Sequence, residues 1–398
     1  MNYEFEAKNQ QNQVINGTLD AVDEHEAEKI LWQNQLSTLS IRPVQGSGLL
    51  DFIFKRVSVR DRAVFARQLA TMLDAGFPIL QALNVIYLQM QKGIMKDTTS
   101  QLLSDLEAGH SFSAALSKHP RVFSKVFIAV IQSGESSGKL PQVLTQLAEG
   151  LERDYSFSKN VRGAFMYPTF VLIVMTIIGV IMVVNVIPQL EDIFKEAGAS
   201  LPWTTRAILW TTHFLTSYWY LVIIGIVGII LLIRAWGKTE GGRYQIDLAK
   251  LKIWGLKGVM ETIYMTQFSF TFGLLTAAGL PILESIRITA ATIGNVIYEA
   301  ILKEAYSEVE KGVPLSVPLS KSSFFPTMVG QMVSVGEKTG KLDQIMNNLA
   351  SYYEEESDRK IKSLSTLIEP ILIVIIGIAV AIMVFAVIMP IYGLAEIT

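Results

Sequence analysis

Gly134-Glu135-Ser136-Ser137-Gly138-Lys139-Leu140 recurs as Gly336-Glu337-Lys338-Thr339-Gly340-Lys341-Leu342, which is 202 residues further along the chain (336 − 134). Working outward, each copy is preceded by the hexapeptide Ala-Gly-x-Pro-Ile-Leu, at 75–80 and at 278–283. Each is followed by an apolar run between two prolines, at 168–188 and at 370–390. Three shared segments in one order indicate a duplicated unit, a helical domain followed by a membrane helix.

The composition supports a membrane protein. Half of the 398 residues are hydrophobic and the mean hydropathy is +0.37. The excess of hydrophobic residues is concentrated in three blocks, near 164–187, 214–233 and 371–389. These blocks carry no charge away from their ends. About 20 apolar residues are needed to cross a bilayer. We therefore predict three transmembrane helices, at 164–188, 214–234 and 370–390.

The placement of lysine and arginine predicts the topology. Basic residues cluster before the first span, after the second and before the third, and none follows the third. The positive-inside rule then places the N-terminus in the cytoplasm. It places the segment 189–213 and the tail 391–398 on the outside. The two copies point the same way, and the unduplicated second span returns the chain to the cytoplasm.

The first 45 residues are predicted to form a small α+β domain. Residues 3–8 and 14–20 alternate like two strands around a polar turn at 9–13. A helix is expected to begin near Asp23, with Glu26 in capping-box spacing. A third strand is expected at 36–44, and Gly46-Ser47-Gly48 is typical of a linker.

The two repeats, 58–163 and 258–366, are predicted to be compact helical bundles. In each Ala-Gly-x-Pro segment the glycine can end one helix and the proline can begin the next. Each Gly-Glu-x-x-Gly-Lys-Leu segment is interpreted as a tight connection between helices. The turn positions that we predict to be structurally important or to contact a partner are Gly76, Pro78, Gly134, Glu135, Gly138, Lys139, Gly279, Pro281, Gly336, Glu337, Gly340 and Lys341. The predicted boundaries of the duplicated membrane helices are Pro168, Pro188, Pro370 and Pro390.

The glycine-lysine turns superficially resemble a phosphate-binding loop. That loop has the pattern Gly-x-x-x-x-Gly-Lys-Ser/Thr, with a glycine five positions before the glycine of the Gly-Lys pair and a serine or threonine after the lysine. Here these positions hold Ser133 and Leu140 in one copy and Val335 and Leu342 in the other. Nucleotide binding is therefore disfavoured, and the chain is not expected to be a motor itself.

No other catalytic or metal-binding pattern is evident. There is no cysteine, and the four histidines lack ligand spacing. The acidic run at 354–358 is interpreted as a solvated helix face balanced by Arg359 and Lys360. Asn185, the main polar residue within a span, is expected to bond another helix. We expect no enzyme activity and no cofactor, and we predict no metal-binding residues, although the sequence leaves open a divalent-cation site made only of carboxylates. The net charge of −2 gives no bias towards nucleic acid.

The paired motifs, in this order and topology, resemble the inner-membrane platform protein family. This family comprises the type II secretion system F protein and the type IV pilus assembly protein PilC. The likeness extends to the first strand-rich stretch, at Tyr3-Glu4-Phe5-Glu6-Ala7 and Gly17-Thr18-Leu19, and so covers nearly the whole chain.

The resemblance implies a mainly α, multi-pass protein of the bacterial inner membrane that self-associates. Its implied partners are a hexameric cytoplasmic assembly ATPase, pilin-like subunits and other inner-membrane assembly proteins. The implied function couples that ATPase to extraction and polymerisation of pilin-like subunits. A small membrane transporter or channel component is the alternative, which the lack of intramembrane charge disfavours. The sequence does not decide between pilus assembly and secretion.

Overall fold

The computed structural model describes residues 2–8, 14–20, 24–33, 36–43, 57–186, 210, 218–253 and 255–395. The chain separates into two compact units. The first comprises Met1–Ser58 and Lys92–Asp97, and the second comprises Val59–Gln91 and Thr98–Thr398. The predicted turn at 9–13, the predicted cap at Asp23 and the linker Gly46-Ser47-Gly48 lie outside the described residues.

The N-terminal stretch of the first unit is a small α+β fold, as predicted. Its strands are β1 (Asn2–Lys8), β2 (Val14–Asp20) and β3 (Ser37–Pro43), and α1 (Glu24–Gln33) lies between β2 and β3 in the chain. The sheet order is β2-β1-β3 with both pairs antiparallel. A bulge between Glu6 and Ala7 shifts the β1–β3 register. Leu31 of α1 is buried.

The first repeat is a bundle of six helices within 59–181, a range that is described without a gap. They are α2 (Val59–Asp74), α3 (Ile79–Gln89), α4 (Ile94–Glu107), α5 (Phe112–Ser117), α6 (Lys125–Ser137) and α7 (Leu140–Ile181). Apolar side chains at helical spacing form its core. Those with no exposed surface include Phe65, Leu69, Leu83, Ile86, Leu116, Ile131 and Leu144. A π-helical turn, Met182–Val186, extends α7.

The second repeat has the same six-helix order within the continuously described range 255–395. Its helices are α10 (Leu256–Ala277), α11 (Ile282–Thr292), α12 (Val296–Glu310), α13 (Ser316–Lys321), α14 (Thr327–Thr339) and α15 (Leu342–Ala395). Two helices precede it, α8 (Trp219–Trp236) and α9 (Glu240–Lys252). The core is built around Phe268, Phe272, Tyr298 and Phe325, whose rings pack against one another. The all-helical interpretation of both repeats is confirmed.

Two of the described helices are long and apolar enough to cross a membrane. Each begins in its bundle and continues into an apolar segment whose large side chains are mostly exposed. They lie within α7 and α15. The described part of the predicted second span is α8, of which Val227–Trp236 is a shorter apolar helix. Two long apolar helices and a mainly helical fold are therefore confirmed, while three transmembrane helices remain a prediction.

The prolines do not interrupt these helices. Pro168 lies inside α7, and Pro370 and Pro390 lie inside α15, while Pro188 is outside the described residues. Each helix therefore begins well before its proline. Asn185 was expected to bond another helix, but its amide donates to the Ile181 carbonyl of its own helix at 3.2 Å. Such a local bond satisfies the side chain without a second helix.

Candidate functional site: the paired turns and the contact between the repeats

The first Gly-Glu-x-x-Gly-Lys-Leu segment forms the turn from α6 to α7. Gly138 ends α6 with φ 69°, in the left-handed region that glycine adopts without strain. The Lys139 N–H donates to the Gly134 carbonyl at 2.8 Å, and the Gly138 N–H to the Glu135 carbonyl at 3.4 Å. These two bonds cap the carbonyls at the end of α6.

The second copy forms the equivalent turn from α14 to α15. Gly340 has φ 67°, and the Lys341 N–H donates to the Gly336 carbonyl at 3.1 Å. The first glycine of each copy serves a different purpose, close helix packing. A Cβ atom added to Gly134 would lie 2.2 Å from Val143 Cγ2, and one on Gly336 would lie 2.9 Å from Leu342 Cδ1.

The glutamate of each turn caps a short helix elsewhere in its repeat. Glu135 accepts hydrogen bonds from the Phe112 N–H (2.7 Å), the Ser113 N–H (3.1 Å) and the Ser113 hydroxyl (2.6 Å) at the start of α5. In the second repeat Glu337 accepts from the Leu315 N–H (2.5 Å), the Ser316 N–H (3.3 Å) and the Ser316 hydroxyl (2.6 Å). A carboxylate at a helix N-terminus satisfies donors that have no partner within the helix.

The two lysines of these turns face solvent instead. Lys139 and Lys341 are exposed, and neither side chain makes a hydrogen bond or ion pair within the part of the chain that the structure describes. Among the charged positions of the motif, the glutamates thus have an internal role and the lysines are available to a partner. Contact of the lysines with a partner remains a prediction.

The Ala-Gly-x-Pro segments form the turns from α2 to α3 and from α10 to α11. Gly76 has φ 85° and Gly279 has φ 86°. Each turn is closed by the same pattern of backbone bonds as the lysine turns, with Phe77 N–H donating to the Met72 carbonyl at 2.9 Å in the first copy. Pro78 and Pro281 occupy the N-cap positions of α3 and α11.

The two kinds of turn meet where the repeats contact each other. The Ser133 hydroxyl, just before the first lysine turn, donates to the Ala278 carbonyl of the second Ala-Gly-x-Pro turn at 2.6 Å. Gly150 of α7 lies against Phe270 of α10, where an added Cβ would be 2.0 Å from Phe270 Cζ. The Arg153 guanidinium lies 6.0 Å from the centre of the same ring. Sequence spacing alone did not predict this contact.

A cavity of about 400 Å³ lies between the repeats. Charged and polar side chains from both repeats line it: Arg62, Arg153, Asp154, Gln267, Glu354 and Ser357. The Arg62 Nε and the Ser357 hydroxyl are buried and have no hydrogen-bond partner among the described residues. Within those residues, no group of three or more acidic or histidine side chains is arranged to hold a metal ion.

The cavity changes the protonation of its carboxyl groups. Burial, and to a smaller extent the carboxylate of Glu354, raises the pKa of Asp154 to about 6 against the opposing charge of Arg62. Burial also raises the pKa of Glu354, and the charge of Arg153, 3.8 Å away, opposes that rise. These two carboxyls are therefore easier to protonate than ordinary surface carboxyls.

The acidic run at 354–358 is only partly a solvated face. Glu356 pairs with Arg359 (3.0 Å) and with Lys360 (3.8 Å), as the sequence predicted. However, Glu354 and Ser357 line the cavity, and Ser357 is almost fully buried. Helical spacing could have revealed this, since these two positions lie three apart and so share one face of α15.

Comparisons with known proteins match nearly the whole chain. A family model described as "Type II secretion system (T2SS), protein F" matches residues 65–188 and 268–390, one stretch in each repeat. A type IV pilus assembly protein PilC of Thermus thermophilus is 31% identical over 396 residues, which cover 98% of this chain and 97% of that protein. A type IV pilus assembly protein TapC of Aeromonas hydrophila is 30% identical, covering 99% and 96%. A type II secretion system protein F of Pseudomonas aeruginosa is 25% identical, covering 99% of both.

Proposed function

This chain belongs to the type II secretion system protein F family, and we propose from that premise that it is a non-enzymatic platform protein of the inner membrane. In this proposal it serves a type IV pilus or a type II secretion machine. It couples a cytoplasmic assembly ATPase to the extraction and polymerisation of pilin-like subunits. The names of the relatives, pilus assembly proteins and secretion proteins alike, support this class of machine.

The observation that carries the proposal is the continuity of α7 and α15. These helices have 42 and 54 residues, which at 1.5 Å per residue corresponds to about 63 Å and about 81 Å. Each therefore runs from the core of its bundle into an apolar segment. A force applied to a bundle is transmitted along such a helix without passing through a loop.

The two long helices are also joined to each other before their apolar segments. The Asn160 amide donates to the Asp358 carboxylate at 3.3 Å, and the Ser365 hydroxyl donates to the Ala164 carbonyl at 3.4 Å. The two bundles are thus coupled near the proposed membrane surface. This arrangement suits a part that converts motion of a cytoplasmic motor into motion within the membrane.

We propose the domain layout and topology predicted above for this platform. The layout consists of the domain 1–45, bundles at 58–163 and 258–366, and spans at 164–188, 214–234 and 370–390. The bundles are cytoplasmic, and the segment 189–213 and the tail 391–398 are periplasmic. Because the natural chain has no cysteine, single cysteines can test this directly in intact cells.

The structure guides the choice of probes for that test. Ser316 is a poor cytoplasmic probe because it is nearly buried and its hydroxyl bonds Glu337. Lys311 and Ser137 are exposed and suitable. Cysteine at Lys311 or Ser137 should react only after the inner membrane is permeabilised, whereas cysteine at Ser200 or Thr398 should react with an impermeant reagent outside. External labelling at Lys311 would contradict the parallel arrangement of the repeats.

We propose the exposed lysines of the two turns as the ATPase contact. Lys139→Glu and Lys341→Glu should reduce recovery of the ATPase in a gentle detergent pull-down from native membranes. The control is Lys311→Glu, a charge reversal at another exposed lysine, which does not belong to either turn. Normal recovery from the double variant would refute the lysine contact but not the platform role.

The partner list from the unmodified chain tests the platform role itself. Recovery of an assembly ATPase together with pilin-like subunits would support it, and the identity of those subunits would decide between a pilus and a secretion machine. A stable complex that contains neither would contradict the proposal and favour the transporter alternative.

A further inference from the structure

The contact between the repeats is one-sided. Helix α6 of the first repeat lies on the α10–α11 turn of the second, through the bond from Ser133 to the Ala278 carbonyl. The reverse pair consists of α14 of the second repeat and the α2–α3 turn of the first. Both members of that pair carry exposed apolar side chains: Val335 is 47% and Met328 is 37% exposed on α14, and Phe77 is 49% and Leu80 is 37% exposed at the turn.

By the internal repeat, the exposed surfaces of α14 and of the α2–α3 turn correspond to those of α6 and of the α10–α11 turn, which are in contact within the chain. Val335 takes the place of Ser133 (335 − 133 = 202), and Ala75 takes the place of Ala278 (278 − 75 = 203). The backbone turns at Gly76 and Gly279 are the same, and α6 and α14 end in the same way at left-handed glycines. The backbone shape needed for a second contact of this kind is therefore present on both surfaces, at the α2–α3 turn and at the end of α14.

We infer that α14 of one copy of this chain docks on the α2–α3 turn of a second copy, head to tail, in the manner in which α6 docks on the α10–α11 turn within one chain. Such a heterologous contact leaves one free surface at each end of a pair, so further copies can add. The inference adds a surface for self-association to the proposed platform protein, and it does not depend on which machine the protein serves.

The side chains on these two surfaces differ from those of the internal contact between α6 and the α10–α11 turn, and they suit a contact between two copies of the chain. The serine that donates to a carbonyl within the chain is replaced by Val335, which can instead cover Phe77 or Leu80. Lys338 takes the place of Ser136 (338 − 136 = 202), and Asp74 takes the place of Ala277 (277 − 74 = 203). Lys338 and Asp74 are exposed and have no ion-pair partner among the described residues. The two surfaces therefore carry opposite charges beside their apolar patches, which favours one orientation of docking.

Disulfide crosslinking in native membranes tests the contact, because the chain has no cysteine of its own. Two tagged full-length variants, Phe77→Cys and Val335→Cys, are expressed separately and together. The head-to-tail contact predicts a crosslinked dimer only in the mixture, and a ladder of larger species from the double variant. A dimer formed by either variant alone would indicate a symmetric contact and overturn the inference. An internal disulfide in a monomeric double variant, or no crosslink although both cysteines react with a soluble reagent, would also overturn it.

A charge exchange tests the orientation independently. Asp74→Lys and Lys338→Asp, each introduced into the crosslinking pair, should each lower the yield of mixed dimer about fivefold, and the two together should restore it. The control combines Asp74→Lys with Lys311→Asp, which should not restore the yield because Lys311 lies at the end of α12 and not on α14. Failure of the exchange to restore the yield would overturn the proposed pairing. Since crosslinking does not require pilus or secretion activity, its failure would leave the platform role to be judged by the partner list.

Discussion

The two repeats have the same scaffold but differ where they touch. In the first, the Arg67 guanidinium donates two parallel hydrogen bonds to the Glu152 carboxylate, at 2.7 and 2.6 Å. In the second, the equivalent positions hold Phe270 (270 − 67 = 203) and Glu354 (354 − 152 = 202). Phe270 packs against Gly150 of the first repeat, and Glu354 faces the cavity between the repeats. The equivalent position thus makes a bond within the repeat when it is Arg67 and a contact between the repeats when it is Phe270.

A comparison of the two repeats therefore distinguishes the positions that form each fold from the positions that join the repeats. The turn glycines and capping glutamates are the same in both copies and make the same bonds. Asp154, by contrast, lines the cavity, while its counterpart Glu356 (356 − 154 = 202) pairs with surface lysine and arginine. Mutations at shared positions should act alike in both repeats, and mutations at the differing positions should not.

The largest expected effect is at the shared glutamates. Glu135→Ala and Glu337→Ala each remove a carboxylate that accepts three hydrogen bonds. We expect each to lower the free energy of local opening of its short helix by about 3 kcal/mol. Hydrogen exchange of the amides in α5 and α13, measured by mass spectrometry on the purified full chain, checks this. Glutamine at either position keeps one acceptor and should lose less. If only one of the two substitutions increased amide exchange in its short helix, the two glutamates would not be equivalent.

Gly150 should show the next largest effect, and only at the contact between the repeats. Gly150→Ala places a Cβ 2.0 Å from Phe270 Cζ, and such overpacking costs about 2 kcal/mol. The matched control is Gly163→Ala in the same helix, where an added Cβ has no neighbour within 4 Å. It should be neutral or slightly stabilising, because alanine favours a helix. Thermal unfolding of the two variants in detergent distinguishes these outcomes. Equal melting temperatures would argue against close contact at Gly150.

The sequence predicted what depends on local chemistry and missed what depends on contacts between distant parts of the chain. Glycine conformations, the bundles and the strands follow from residue types at regular spacing, so they could be predicted. The bond from Glu135 to α5 spans 22 residues or more, and the bond from Ser133 to Ala278 spans 145. Periodicity carries no information about such distant pairs. Apolar length also does not say where a continuous helix begins, so the starts of α7 and α15 were not predicted, and the membrane boundaries at the prolines stay a prediction.

Asp154 should show a smaller effect that depends on pH. Its pKa is raised from an ordinary 3.8 to about 6 in the fold, so folding favours the protonated form. The contribution of Asp154 to the stability of the natural chain should therefore fall as pH rises from about 4 to about 6 and then level off. Asp154→Asn avoids this loss. Because solvent still reaches the side chain, we expect a gain of only about 1 kcal/mol above pH 6 and none below pH 4.

Thermal unfolding across this pH range checks the Asp154 prediction. The matched control is Glu356→Gln at the equivalent position of the second repeat. It removes surface ion pairs and should cause a slight loss above pH 6 rather than a gain. A gain from Asp154→Asn that persists at pH 4 would show that the carboxyl charge is not its cause.

The smallest effect is expected at Arg67, and its pH dependence should have the opposite sign. The hydrogen bond and charge of Arg67 lower the pKa of Glu152 below its ordinary value of 4.5. This pair therefore stabilises the fold above that pH and loses its contribution as pH falls through the lowered pKa. Arg67→Phe makes the first repeat resemble the second, and since the pair is 37% and 44% exposed it should cost only about 0.5 kcal/mol at pH 7 and nothing in acid. Arg67→Lys keeps the charge but not the two parallel bonds, so the stability of this variant should lie between that of the natural chain and that of Arg67→Phe. If Arg67→Phe were as damaging as Gly150→Ala, the ion pair would matter to the contact between the repeats and not only to its own bundle.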